Sequence, residues 1–240
     1  MVIVGIHQPI FIPWIRYFHK IALTDSFVIL DNVQFSKNDV QNRNYINSNN
    51  GKILLTIPVK KTEDSRIMNL KIFNNNWKRK HLNSLYYSYK NSPNFDQIFN
   101  AINDIYSKEF LYLSDFNSAL LHFILEYLEI NSKILKSSNM SEKPGKTDRL
   151  VNICKELKAT HYIVGKDGKY LEREKFLLNK IDIVRQPFIH PTYFQMHSNK
   201  LKDLSILDWM FQESRDNLIG YFKEERKKFD ENYTKLGAFV

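Results

Sequence analysis

The chain has 240 residues, a net charge of +9, 43% hydrophobic and 14% aromatic residues, and one cysteine. That length suits one good-sized core with an appended lobe, and the apolar content excludes a disordered chain. A lone cysteine excludes a disulfide framework and a multi-cysteine zinc site, and no run approaches the roughly 18 apolar residues of a membrane span.

Residues 2–6 (VIVGI) form a short apolar run of buried-strand type. His7, Gln8 and Pro9 follow, then Pro13, and an aromatic-rich helical run from Trp14 to Leu23. Because histidine and two prolines interrupt its apolar stretch and no basic segment precedes it, this start is not read as a signal peptide; a cytoplasmic protein is expected. Residues 26–30 (SFVIL) read as a second strand that ends in Asp31, Asn32 and Gln34. Strand, loop, helix and strand make a βαβ unit, whose parallel strands bring both polar ends to one sheet edge, where open α/β sheets bind ligands.

Residues 45–59 (YINSNNGKILLTIPV) read as a β-hairpin closed by NSNNG, with Pro58 at a strand end. A charged loop leads to a short strand around residues 67–72. From Asn76 to Ile130 the spacing turns helical, broken at SPNF (92–95), with Ser114 as the expected cap of the last helix. Strand–helix alternation then returns: a strand at 133–140 ending in Ser137 and Ser138, a helix carrying Cys154 as a buried thiol, a strand at 161–165, a helix, and a strand at 181–184. A proline- and aromatic-rich loop, RQPFIHPTYFQM, precedes a final helical pair capped at Ser205, and the charged C-terminal segment is expected to fray. The expected fold is α/β, a Rossmann-like parallel sheet with a hairpin insertion, in a single domain: residues 1–75 and 131–210 form the core and 76–130 a helical lobe.

His7, at a strand end, has the chemistry of a general base or phosphate ligand, or of a histidine that only orders the turn. Asp31 could be a base, a ligand carboxylate or the cap of its loop. Asn42, Arg43 and Asn44 could clamp a phosphate or carboxylate, or belong to a solvated loop. Ser137 and Ser138, with Lys146 and Thr147 opening the next helix, form a loose phosphate cradle, although KPGKT is not a P-loop. Gly165, Lys166, Asp167 and Gly168 follow a strand on the same edge, where glycine lets a backbone approach a ligand. His190 and His197 are too few and too widely spaced for a metal site, so none is expected. The positive charge is scattered (residues 60–61, 78–80, 225–228), which favours phosphate-bearing small ligands over DNA.

The strings HQPIFIPWIRYFHKI, SFVILDNVQFSK, NRN and LLTIPV, with YIVGKDGKYLE, HPTYFQ and LSILDWMF further on, resemble the WbqC-like family of bacterial proteins along essentially the whole chain. Arg16 stands where that family usually has glycine. The resemblance implies a role in O-antigen or other surface-polysaccharide (lipopolysaccharide) biosynthesis, as a transferase that adds an acyl or aminoacyl group to the amine of a nucleotide-linked amino sugar. The cofactor is unidentified beyond an activated acyl or aminoacyl donor; aminoacyl-tRNA and ATP are candidate donors. His7 and Asp31 would be catalytic, with Gln8, Trp14, Asn32, Gln34, Asn42, Arg43, Ser137, Ser138, Gly165, Lys166, His190, Tyr193 and Gln195 around the substrate. Two alternatives stand: an adenylate-forming nucleotidyltransferase or ligase, and a non-catalytic sugar-nucleotide-binding protein. The first is weakened because Pro13-Trp14-Ile15-Arg16 stands where HxGH-type nucleotidyltransferases carry their phosphate-binding histidines.

Overall fold

The structure is a computed structural model and describes residues 1–60, 63–165, 168, 171–197 and 201–237, with side chains to 233. Its centre is a five-stranded sheet in the order β7-β2-β1-β8-β9: β1 (Ile3–His7), β2 (Ser26–Ile29), β7 (Lys133–Lys136), β8 (His161–Val164) and β9 (Asp182–Arg185). All four neighbouring pairs are parallel. The chain builds outward from β1 to β2 and β7, then returns to the other side of β1 for β8 and β9. The order therefore reverses between β1 and β8, as in a Rossmann-like sheet.

Side chains alternate between two apolar layers, as the period of a strand requires. Val4, Ile6, Val28, Tyr162 and Val164 pack with α5 (Lys146–Glu156) and α6 (Arg173–Leu178). Phe27 and Ile29 face the other layer, formed by α1 (Ile15–Ala22), the lobe helices α2 (Asn76–Tyr89), α3 (Phe95–Ser107) and α4 (Leu113–Tyr127), and α7 (Ile206–Gln212). Phe11, Trp77, Phe116, Trp209 and Phe211 join this larger core, so the lobe packs against α1 and shares its apolar interior. Cys154 is fully buried.

Two antiparallel ribbons lie between β2 and the lobe: β3 (Arg43–Ile46) with β4 (Ile53–Thr56), and β5 (Val59–Lys60) with β6 (Lys71–Ile72). Gly51 at φ +93° supplies the left-handed residue that closes the first. The strand expected around 67–72 is a 3-10 turn (Ile67–Asn69) followed by the two-residue β6. Ser114 lies inside α4 rather than capping it, because the helix already starts at Leu113 after an extended Tyr112. Ser205 does cap α7, its Oγ accepting from the Leu207 amide at 3.2 Å. Through residue 237 the C-terminal segment does not fray as expected, and residues 238–240 lie outside the described residues. It continues α8 (Arg215–Gly237) because Phe229 is buried against Ile3, Leu23, Ile163 and Val184, and Arg226 bonds Asp25 and Asp230. Among the described residues no helix is long and apolar enough to cross a membrane.

Gly5 makes the close approach of α1's C-terminal turn possible. A Cβ there would meet Thr24 Cγ2 at 2.8 Å and Phe27 Cδ2 at 2.9 Å. Gly5→Val is therefore expected to lower unfolding stability by about 1–3 kcal/mol, read as a fall in the denaturant midpoint with an unchanged slope; an unchanged midpoint would show that the layer has room to spare.

Candidate functional site

The C-terminal edge of the sheet opens into a cleft of about 690 Å³. His7 and Gln8 from the end of β1 and Leu30, Val33 and Gln34 from the loop after β2 form one wall. Lys146, Arg149 and Leu150 from α5 form the other, and Ile6 and Tyr162 also line it. This is the crevice beside the reversal of strand order, where open α/β sheets bind ligands.

His7 is only partly buried. Its Nδ1 lies 2.9 Å from the Gln8 carbonyl. A carbonyl only accepts, so this contact places the proton on Nδ1 and leaves Nε2 with a lone pair. Tyr17 packs edge-on against the imidazole at 5.2 Å. Burial, then the nearby Lys20 ammonium, push the His7 pKa down to about 4, against smaller opposing effects of the Gln8 contact and Asp39. The imidazole is thus neutral at physiological pH. Gln8 Oε1 accepts from Gln41 Nε2 at 2.7 Å.

The α5 wall is cationic. Lys146 is exposed and forms no ion pair among the described residues. Arg149, one turn on, lies 3.9 Å from Glu142, and its buried Nε has no hydrogen-bond partner among the described residues. Asp148, between them in sequence, is neutralised by Lys175 at 2.7 Å. Basic side chains at the first turn of an eleven-residue helix add to the positive end of its dipole, an arrangement suited to phosphate.

Asp31 is not His7's partner. It is 2% exposed, and its carboxyl accepts from the Ser138 amide (2.9 Å), Ser138 Oγ (2.8 Å) and Ser137 Oγ (3.1 Å). Asn32 Oδ1 also accepts from Ser137 Oγ, at 2.8 Å. These four residues tie the end of β2 to the turn after β7, and none of them lines the cleft. The expectation that Asp31 orients the histidine or the substrate amine is corrected: its oxygens are already engaged.

The NRN cluster is structural as well. Asn42 Nδ2 donates to the Ile57 carbonyl (2.7 Å) and Asn44 Nδ2 to the Phe11 and Ile12 carbonyls (3.2 and 2.8 Å), while Arg43 donates to Asn38 Oδ1 (3.0 Å). Asn44 thereby holds the loop that follows β1 at the point where Ile12 takes φ +35°. Trp14 pairs with Ser205 and packs on the lobe side. In the HPTYFQ loop, Tyr193 donates to Asp208 (2.9 Å), Gln195 exchanges bonds with Leu201, and His190 Nδ1 sits 2.8 Å from the Pro191 carbonyl. That loop is clasped to α7, away from the cleft. Gly165 follows β8 and is partly exposed; Lys166 and Asp167 lie outside the described residues. Of the expected site residues among those described, the cleft therefore gathers His7, Gln8, Gln34 and Lys146, the last without its expected cradle partners Ser137, Ser138 and Thr147. Sequence reasoning missed Arg149 and Tyr162; its one available signal was the spacing of Arg149 one turn after Lys146.

The chain matches the WbqC-like protein family over residues 8–219. It belongs to that family. It is also 34% identical over 177 residues to the uncharacterized protein Rv1507c of Mycobacterium tuberculosis (strain ATCC 25618 / H37Rv), covering 72% of this chain and 77% of that protein. No solved structure matches it significantly.

Two measurements follow from this geometry. Asp31→Ala is expected to cost about 2–3 kcal/mol of stability by orphaning the Ser137–Ser138 donors, while leaving the His7 NMR titration in place; a shifted His7 titration would return Asp31 to the site. Below pH 6.5 stability is expected to fall. His7 and His81 both have folded pKa values near 4, and burial lowers His19 as well, so the unfolded state, titrating near 6.5, binds more protons. Their contribution is complete above pH 6.5 and is lost as the pH drops toward 4. Denaturant unfolding between pH 7.5 and 4.5 reads this, and a flat profile would contradict neutral burial.

Proposed function

We propose that this protein is a cytoplasmic transferase of bacterial surface-polysaccharide (O-antigen) assembly, which moves an acyl or aminoacyl group onto the amine of a nucleotide-linked amino sugar. The observation that carries the reading is the pairing in one cleft of a neutral histidine with a two-cation wall. Lys146 and Arg149 would hold the diphosphate of the nucleotide sugar, the arginine through its planar fork. His7 would serve the amine.

In the reaction the amine lone pair attacks the donor's carbonyl carbon, forming the C–N bond. The proton released from nitrogen passes to His7 Nε2, the carbonyl–donor bond breaks, and the protonated His7 returns that proton to the leaving group. A base with a pKa near 4 is weak for this task. A bound diphosphate raises it, since an adjacent anion favours the imidazolium. Substrate binding would thus tune the base that serves it. The oxyanion that develops on the carbonyl needs a donor, for which the backbone N–H of Gly165 or Gly168 after β8 is the candidate. The donor is an activated acyl or aminoacyl compound, aminoacyl-tRNA among the candidates.

The test is incubation with a panel of nucleotide-linked amino sugars and acyl, aminoacyl and ATP-dependent donors, with mass spectrometry of the sugar product. An acyl increment is expected, and His7→Ala should reduce its rate by about 10²–10⁴-fold. Full turnover by His7→Ala would sink the assignment. Pyrophosphate release with ATP and no acylated sugar would favour the adenylate-forming alternative.

A further inference from the structure

Lys20 acts on His7 only through its charge. It is 5% exposed, and its Nζ donates to the Ile6 carbonyl at 2.8 Å. The β1–β8 pairing ends at Gly5–Ile163, whereas β1 stays paired with β2 through His7. The Ile6 carbonyl therefore lies beyond the end of the β1–β8 ladder, on the side where the strands part. Lys20 starts from α1, in the layer of Phe27 and Ile29. Its ammonium nevertheless sits 5.7 Å from the centre of the Tyr162 ring, which belongs to the opposite layer. The side chain thus reaches from one layer to the other at the reversal point of the sheet, and its charge ends beside Ile6 and Tyr162, both of which line the cleft.

An ammonium has three N–H donors. Among the described residues one is used, and no carboxylate lies within ion-pairing distance. A buried cation in that condition costs several kcal/mol unless something else compensates it. The remaining groups of the cleft are cationic or neutral: Lys146, Arg149, His7 and the Gln8 amide. An anion arriving in the open cleft would supply such compensation.

We infer that Lys20 is the deep cationic group of an anion subsite at the β1–β8 parting, taking a phosphate oxygen of the ligand whose diphosphate spans toward Lys146 and Arg149. The phosphate identity rests on the reading of the cleft given above; the anion subsite itself does not. Burial lowers the Lys20 pKa to about 7, and an anion docked on it reverses that shift. The titratable groups that face or act on the ammonium are His7 from β1, Cys154 from α5 and Tyr162 from β8; Lys146 and Arg149 line the neighbouring cleft, and Asp39 acts on His7. Burial pushes the Cys154 thiol up to about 12, so it stays protonated throughout.

The probe is inorganic sulfate, a tetrahedral dianion with no proton to exchange at pH 8, titrated calorimetrically into the full chain in two buffers of different ionisation enthalpy. Binding is expected with uptake of nearly one proton per sulfate (about one for a group taken from neutral to charged). Lys20→Met should bind about tenfold or more weakly and take up no proton; Lys20→Arg should bind without uptake. His7→Gln should keep the uptake, so it decides the matter even if Lys20→Met does not fold. Absence of sulfate binding at millimolar concentrations, or binding with unchanged uptake in a folded Lys20→Met, overturns the subsite. Tighter binding of malonate than of sulfate, with the same uptake, overturns its assignment to phosphate. None of these readouts needs turnover, so a failed acyl-transfer assay beside a positive sulfate result would dismiss the transferase and leave the subsite standing.

Discussion

Two residues separate the end of the β1–β8 ladder from the end of the β1–β2 ladder, and the chemistry of this molecule depends on that offset. A parallel sheet normally consumes its own carbonyls. Where β8 leaves β1 at Ile163, the carbonyl of Ile6 loses its neighbour on that side and must find another donor. The donor is the ammonium of Lys20, reaching in from α1. This single contact satisfies the backbone, brings a positive charge beside Ile6 and Tyr162 and, second to burial, depresses the basicity of His7 one residue further on. Gly5 belongs to the same arrangement, since its missing side chain lets Thr24 and Phe27 close on the strand at the level where α1 ends.

The walls of the cleft are held by different means. On the β1 side, the loop after His7 is an apolar segment, Ile10–Ile12, buried among the lobe helices and secured by amides from three places: Asn44 of β3 on the Phe11 and Ile12 carbonyls, Gln41 from the segment before β3 on Gln8, and Asn117 of α4 on the Gln41 carbonyl. On the α5 side, the basic residues stand on a regular helix whose buried face (Leu150, Val151, Cys154) packs on the sheet. A histidine on a clamped strand end and cations on a packed helix have little freedom relative to one another, which suits a site that must position a charged ligand before it reacts.

How far the sequence disclosed this differs by element. The βαβ opening, the strand ends and the hairpin were legible because short apolar runs, period-two alternation and an Asn-Gly turn each have one favoured conformation. The continuation of α8 was not: a run such as EERKKFDENY looks solvated until Phe229 is seen to pack against the bottom of the sheet. The site divides in the same way. His7 was legible because it ends a strand. Asp31 was misleading because a carboxylate at a strand end looks the same whether it faces a ligand or two serines from the turn after another strand, and Ser137 and Ser138 are more than a hundred residues away. Lys20 was invisible, since a lysine near the end of an amphipathic helix ordinarily faces water, and only the parting of two strands gives it somewhere else to go.

This division bears on what family membership conveys. Two of the strings that carry the resemblance, HQPIFIPW and NRN, meet at the loop clasp: Asn44 on Phe11 and Ile12, and the Ile206 amide on the Pro13 carbonyl. Much of that signature therefore specifies how the loop after β1 is fixed. Of the polar residues in these two strings only His7 and Gln8 line the cleft, joined by Gln34 from SFVILDNVQFSK, while the cations that line it come from α5. A relative could keep the clasp and change Lys146 or Arg149, and it would share this fold while binding something else. Selection of a ligand therefore rests on the groups that line the cleft, and the clasp explains why those groups are held where they are.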